Sequence, residues 1–213
     1  MRKESAGMNV IVFGGTGRVG RAFAGKAVNA GHRVTAFVRN SSGANLNGVA
    51  LVQGDIRDHS SVRASLAGGF DAVIVCIGQA GLKPSTVVSE GFAAIVAGMT
   101  ASGLRRFIGV SGSAEMPQKT WVGKLYTAIL RHTPVGNAVR DHDGGLRVLQ
   151  TSSLDWTLAG CNYLADGPER GRYRTSLIFP GGFKIIHPGD VADFLLQEMT
   201  MPRYLREVVG LWY

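Results

Sequence analysis

The chain is poor in the residues and runs that mark several classes of protein. Only two cysteines, Cys76 and Cys161, occur among 213 residues, and neither belongs to a metal-type spacing. A disulfide-stapled fold and a cysteine-based zinc site are therefore excluded, no metal is expected, and free thiols point to a reducing compartment, the cytoplasm. No apolar run reaches the ~20 residues that cross a bilayer, so no membrane partner is expected. The opening MRKESAGM lacks the apolar stretch of a signal peptide; residues 1–8 are expected to be a flexible leader, with Met8 close to the start of the fold. Basic residues outnumber acidic ones, 23 to 15, yet no run of four basic residues and no basic–aromatic interleaving occurs. Nucleic acid is accordingly not expected as a partner, and the surface suits anionic small molecules.

Glycine, by contrast, is abundant at 30 residues, and several glycines close apolar runs, where they read as turns. The most informative are in GGTGRVG, residues 14–20. Gly14, Gly17 and Gly20 follow the apolar run Val10–Phe13 and open a helical pattern over 17–30. A bare glycine triplet is a weak signal. After a buried strand and before a helix it is a dinucleotide fingerprint. Gly14 and Gly17 let the backbone approach a pyrophosphate, Gly20 lets the helix pack closely, and the helix N-terminus offers N–H groups to the phosphates. Thr16, Arg18 and Val19 complete the loop.

Further along, strands are predicted over 32–38, 49–53, 71–77, 104–110, 155–159 and 207–212. Between them lie helical patterns from Asp58 to Gly68, over 84–102, 121–131 and 137–151, and from Pro188 to about Met199, where Pro188 suits the first turn and Asp190 the positive end. Alternating strands and helices build a doubly wound, mostly parallel sheet with right-handed crossovers, an α/β fold of Rossmann type in a single domain over 9–213. Residues 160–184 lack periodicity. A long irregular stretch of that kind is often functional, and the substrate loops are expected at about 79–84, 111–136 and 160–184.

Ligands of such sheets bind beyond the carboxyl ends of the strands. The second strand ends AFVRNSS. NAD-preferring sites place an acid there for the ribose hydroxyls; this chain has Arg39, then Asn40, Ser41 and Ser42. A guanidinium fork can grip a 2′-phosphate, so NADP(H) is the expected cofactor, with NAD(H) possible, and Arg18 is expected to add a second charge nearby. Asp55 and Ile56 should flank the adenine, and Cys76, Ile77 and Gly78 should pass beneath the ribose and pyrophosphate. Each cysteine reads as a packed small residue rather than a reactive thiol.

These stretches resemble the atypical short-chain dehydrogenase/reductase superfamily, within it the NmrA-like NAD(P)H-binding group that includes NADPH-dependent flavin reductases of the biliverdin reductase B kind. GGTGRVG, FVRNSS, GDIRD (54–58), DAVIVCIG (71–78), STVVSEG (85–91), VSGSA (110–114), YLADGPERGRYR (163–174) and HPGDVADFLL (187–196) carry the resemblance over nearly the whole chain after Met8. The resemblance implies that residues 14–18 hold the phosphates, Arg39 and its neighbours the 2′-phosphate, and that Ser111 is the family's active-site serine. One departure matters. Conventional members protonate a substrate oxygen with a Tyr-x-x-x-Lys pair, and no tyrosine here has a lysine four residues on.

Two functions fit. One is an NADPH-dependent reductase of a flat conjugated small-molecule acceptor, a flavin, quinone or similar compound, that can take its proton from water. Ser111 would orient the nicotinamide or the acceptor, and Asn162 or Tyr163 would hydrogen-bond the acceptor. The acceptor space should be bounded by Gly78-Gln79, Ser111–Ser113, Trp121 or Tyr126, and Cys161–Tyr163. The other is a non-catalytic NADP(H) sensor acting through a protein partner, with the apolar side of 121–131 as the contact surface.

Overall fold

The computed structural model describes residues 7–78 and 81–213. The chain runs β1 (Asn9–Phe13), α1 (Arg18–Asn29), β2 (Arg33–Val38), β3 (Val49–Gln53), α2 (His59–Ser65), β4 (Ala72–Val75), α3 (Val87–Ala101), β5 (Arg106–Gly112), α4 (Trp121–Leu130), α5 (Val135–Thr151), β6 (Asp155–Cys161), β7 (Tyr163–Leu164), β8 (Arg174–Ser176), β9 (Ile185–Ile186), α6 (Pro188–Thr200) and β10 (Glu207–Trp212). Eight strands form one sheet in the order β3-β2-β1-β4-β5-β6-β10-β8. All its pairings are parallel except the outermost, where β8 runs antiparallel to β10. The first six strands, 3-2-1-4-5-6, are the Rossmann order, and the α/β single-domain architecture is as the sequence indicates.

The pleat explains why the central strands are apolar throughout. Successive side chains of a strand point to opposite faces. In β1, Ile11 and Phe13 enter a core with Phe92, Ile95 and Leu149 of α3 and α5. Val10 and Val12 enter the other, with Phe23, Ala27, Phe194 and Leu195 of α1 and α6. A strand covered on both sides has no polar face to alternate with.

Caps set several helix boundaries. Asp58 caps α2 by accepting from the Ser60 amide at 3.0 Å, as its position suggests. Helix α3 begins at Val87 rather than Pro84. The Val87 amide donates to Ser85 Oγ at 3.2 Å, and Asp141, buried on α5, accepts from the amides of Val88 and Ser89 at 3.0 and 2.9 Å. Pro188 occupies the first turn of α6. Asp190 does more than face the helix dipole: it is buried and accepts from the amides of Arg170 and Gly171 at 2.9 and 2.8 Å.

One expectation changes. Residues 160–184 are not without regular structure: they contribute the antiparallel edge strand β8 and, with β9, the small parallel pair β7–β9. Short edge pieces of two or three residues carry too little periodicity to be read from sequence. Of the expected leader, residues 1–6 lie outside the described residues. Met8 is already tied to the fold, its amide donating to His32 Nδ1 at 3.1 Å and its carbonyl accepting from the Arg33 amide at 2.9 Å.

Candidate active site

The glycine loop joins β1 to α1 at the carboxyl end of the sheet. Gly14 has φ +82°, and a Cβ there would lie 2.5 Å from the Cys76 carbonyl oxygen. No L side chain fits both restrictions. Gly20 lies beneath the loop, where a Cβ would be 2.2 Å from the Gly14 oxygen; its absence lets helix and loop touch. The Gly17 amide closes the turn onto Gly14 O at 3.0 Å. Gly17 is also the N-cap of α1, with no side-chain hydrogen bond, and no acid stands in the first turn. The first amides of α1 thus keep their donors and the helix's partial positive charge for an anion.

Two cavities meet at this loop. One, about 500 Å³, is lined by Gly14, Thr16, Gly17, Arg39, Asp55, Ile56, Arg57, Cys76, Ile77, Gly78 and Lys83, among others. The second, about 520 Å³, is lined by Gly17, Arg18, Val19, Cys76, Ile77, Gly78, Ser111, Glu115, His142, Cys161 and Asn162, together with apolar residues of α4 and α5. They share Gly17 and Cys76–Gly78, so one groove crosses the ends of β1, β4 and β5. Both volumes lie in the range of small-molecule sites. The loop fits a pyrophosphate: no side chain stands at Gly14 or Gly17, and a Cβ at Gly78 would meet open space.

Nine of the expected cofactor residues, Gly14, Thr16, Gly17, Arg39, Asp55, Ile56 and Cys76–Gly78, line the first cavity; Arg18, Val19 and Ser111 line the second, and Gly20 and Ser42 line neither. Arg18 does not stand beside Arg39. Its guanidinium crosses to the second cavity, donating to the Leu164 carbonyl at 3.0 Å and to Asp166 at 2.7 Å. The cations that share the first cavity with Arg39 are Arg57 and Lys83. Ser42 is not among the lining residues; its amide closes a turn onto Asn40 Oδ1 at 2.9 Å. Both thiols are pushed up to about 12 by burial, with the Cys161 sulfur adding to the effect on Cys76. Neither is a nucleophile at neutral pH, in keeping with their reading as packed small residues.

Around the second cavity, β6 runs past the expected Ala159 to Cys161, where Gly160 and Cys161 pair with Ser111 and Gly112. Asn162 then binds two neighbours, donating to Ser113 Oγ at 3.2 Å and accepting from the Lys184 amide at 3.0 Å. It lines the cavity as a tether of its wall. Tyr163 points elsewhere: it is 53% exposed, its ring 5.4 Å from that of Phe183, and it is not among the cavity residues. Trp121 and Tyr126 are absent from the lining as well; Leu130 is what α4 contributes. The rest of α4 has no buried residue, and Trp121 is 75% exposed. Gln79 lies outside the described residues.

Two residues that sequence reasoning missed stand at Ser111. Its hydroxyl hydrogen-bonds Glu115 Oε2 and lies 3.1 Å from Nδ1 of His142. Glu115 ends the short 3₁₀ turn that follows β5 (Ser113–Glu115), and His142 comes from α5. Burial raises the Glu115 carboxyl to about 8. Asp143 pushes the same way, while Ser111, the Gly112 backbone and Arg131 oppose it. Burial holds His142 below its ordinary value against the nearby charges of Asp141 and Asp143.

A glycine loop opening a helix, on a 3-2-1-4-5-6 parallel sheet with its cavities at the strand ends, defines a Rossmann-type dinucleotide-binding protein. The chain belongs to the NAD(P)H-binding family, whose profile matches residues 14–202. Over 212 residues it is 26% identical to the uncharacterised protein YwnB of Bacillus subtilis, covering 94% of this chain and 96% of YwnB. Its structure is similar to that of a Burkholderia pseudomallei protein provisionally named as exported (27% identity, TM-score 0.74, 97% of this chain and 100% of that one). It is also similar to ChuY, an anaerobillin reductase from Escherichia coli O157:H7 (22% identity, TM-score 0.77, 96% of each chain). Among the described residues, no helix is long and apolar enough to cross a membrane, and no group of three His, Cys, Asp or Glu side chains could hold a metal ion.

Proposed function

We propose that the protein is an NADPH-dependent reductase that passes hydride to a flat conjugated acceptor such as a flavin or quinone. The observation that carries this reading is the pair of cavities sharing Gly17 and Cys76–Gly78. The first, with Arg39, Arg57 and Lys83 about it, suits the adenosine half and its 2′-phosphate. The second suits the nicotinamide and the acceptor. Bound NADPH supplies the hydride. The chain supplies alignment across the shared floor and, through the apolar residues of α4 and α5, a wall that excludes water. The name of ChuY supports a reductase. Two free cysteines suit a reducing compartment such as the cytoplasm.

The test is NADPH oxidation measured against flavins, quinones and aldehydes. Steady consumption with a flavin or quinone is the expected result; none with any acceptor would refute the reading. The exposed apolar side of α4, with Trp121, Leu125 and Ile129, favours the second reading, a sensor binding a protein partner. That reading requires NADPH to change the affinity for the partner without being consumed.

A further inference from the structure

We propose that Glu115 is a proton reservoir for Ser111, so that the Ser111 hydroxyl gives the reduced acceptor the proton that a tyrosine gives in conventional short-chain dehydrogenases. The inference rests on the reductase reading and concerns where the second half of that chemistry is done.

Three facts of placement support it. Ser111 is the middle member of the cluster, bonded to Glu115 on one side and 3.1 Å from His142 on the other, and all three line the acceptor cavity. Glu115 Oε1 is buried and finds no hydrogen-bond partner. An ionised carboxylate would leave a charged oxygen bare in that position, which is costly, whereas a neutral acid is tolerated. The charged groups facing the carboxyl come from two helices. They are Asp143 on α5, which opposes ionisation, and Arg131 at the end of α4, which favours it but is spent in an ion pair with that same Asp143. Burial decides the balance, and the carboxyl stays protonated up to about pH 8.

The order of the cluster also settles which chemistry it is built for. A hydrolytic triad places histidine between the acid and the serine, so that the acid orients the base. Here the acid is bonded to the serine itself. A serine next to a protonated acid is not activated as a nucleophile; it is a conductor of protons.

The step balances as follows. Hydride leaves the cofactor with its electron pair and converts a neutral acceptor into an anion. The anion takes the proton of Ser111 Oγ, and Ser111 takes the proton of Glu115 Oε2. The resulting carboxylate is reprotonated from water. One hydride and one proton are consumed for each acceptor reduced.

Glu115 acts through Ser111 and is therefore a positioning residue, so its test must separate proton delivery from general damage. A neutral quinone becomes an anion on taking hydride and needs a proton. A cationic phenothiazine dye such as methylene blue becomes neutral and needs none. In Glu115→Gln the ratio of quinone to dye turnover should fall roughly 10- to 100-fold, at the low end of general-acid effects because water competes as donor. Wild-type quinone turnover should decline as pH rises through about 8, and this limb should vanish in Glu115→Gln and return in Glu115→Asp. An unchanged ratio, or a limb that persists in Glu115→Gln, overturns the proposal. Infrared difference spectra of wild type against Glu115→Gln, without cofactor, give a reading independent of turnover. A protonated carboxyl band belonging to Glu115 at pH 7 is expected, and an ionised Glu115 at that pH overturns the relay. A wild type that reduces neither acceptor refutes the reductase reading instead, and takes from the relay its task.

Discussion

Arg39→Ala is the sharpest test of cofactor choice. The side chain stands at the end of β2 and lines the cavity that also holds Arg57 and Lys83. A hydrogen bond to a charged group contributes about 1.5–3 kcal/mol, which is about ten- to a hundredfold in affinity. Two features of the site place the expected loss at the lower end. Arg39 is exposed, so salt and water already weaken its pull on a phosphate. Arg57 and Lys83 remain in the variant and keep the cavity cationic. NADPH binding should therefore weaken about 10- to 30-fold, while NADH, which has no 2′-phosphate, should bind nearly as before. Isothermal calorimetry with both cofactors, at low and at near-physiological salt, measures this directly. The NADPH deficit should shrink as salt rises. Equal losses for NADPH and NADH would refute the assignment, since the arginine would then support the fold or the adenine rather than the phosphate.

The other predictions concern the loop, the serine and the buried acid. At Gly17 the backbone is extended (φ −72°) and a Cβ would lie 3.3 Å from Gly14 O. Gly17→Val should therefore fold, with an unchanged circular dichroism spectrum, and lose cofactor binding; retention of full NADPH affinity would remove the phosphate from this loop. Ser111→Ala should slow quinone reduction about 10-fold, because water can enter the space left by the hydroxyl and carry protons in its place. A loss on the order of 10⁴-fold would make Ser111 itself the essential acid. Glu115 should cost stability as pH rises. Its carboxyl titrates near 8 in the fold against 4.5 in the ordinary case, so folding is favoured below 4.5 and progressively penalised up to 8. At about 1.4 kcal/mol for each pH unit, the penalty over this window is on the order of 5 kcal/mol. Urea denaturation at pH 5 and pH 8.5 should show Glu115→Gln gaining on wild type at the higher pH. A constant difference between the two proteins would show that the carboxyl is not held neutral.

What could be read from sequence follows from what each feature needs. Val10–Phe13 and the run DAVIVCI announce strands buried on both sides because such strands tolerate no polar residue. The glycine loop is legible because its requirements are met by glycine alone. Arg18 was misplaced for the opposite reason: its partners, Leu164 and Asp166, lie nearly 150 residues away, and nothing local says which way a long flexible side chain turns. Tyr163 looked like an acceptor contact only because it follows the end of β6; it opens β7, a two-residue strand paired with Ile185–Ile186 that no periodicity announces, and there its ring meets Phe183 at the surface. His142 was hidden among the charges of RDHDGG. Its signal was present, since Leu146 and Leu149, four and seven residues on, place it on the buried stripe of α5. Glu115 had no comparable signal. Only a 3₁₀ turn after β5 returns it to Ser111.

The order of strands also says something about how the chain comes to be assembled. Strand β1 lies mid-sheet, and its two neighbours, β2 and β4, are supplied by residue 75. The backbone pairings of the dinucleotide half are thus available early, but its two apolar faces wait for α3, α5 and α6. The half that lines the second cavity lacks even its pairings until the end. Strand β6, which carries Cys161 and leads to Asn162, receives its outer partner only from Glu207–Trp212, and parallel pairing across such a separation is slow. A chain cut short before α6 would keep the pairing of β1 with β2 and β4 but leave Val10 and Val12 without Phe194 and Leu195, so the strand that carries the glycine loop is covered on both faces only when nearly the whole chain is present.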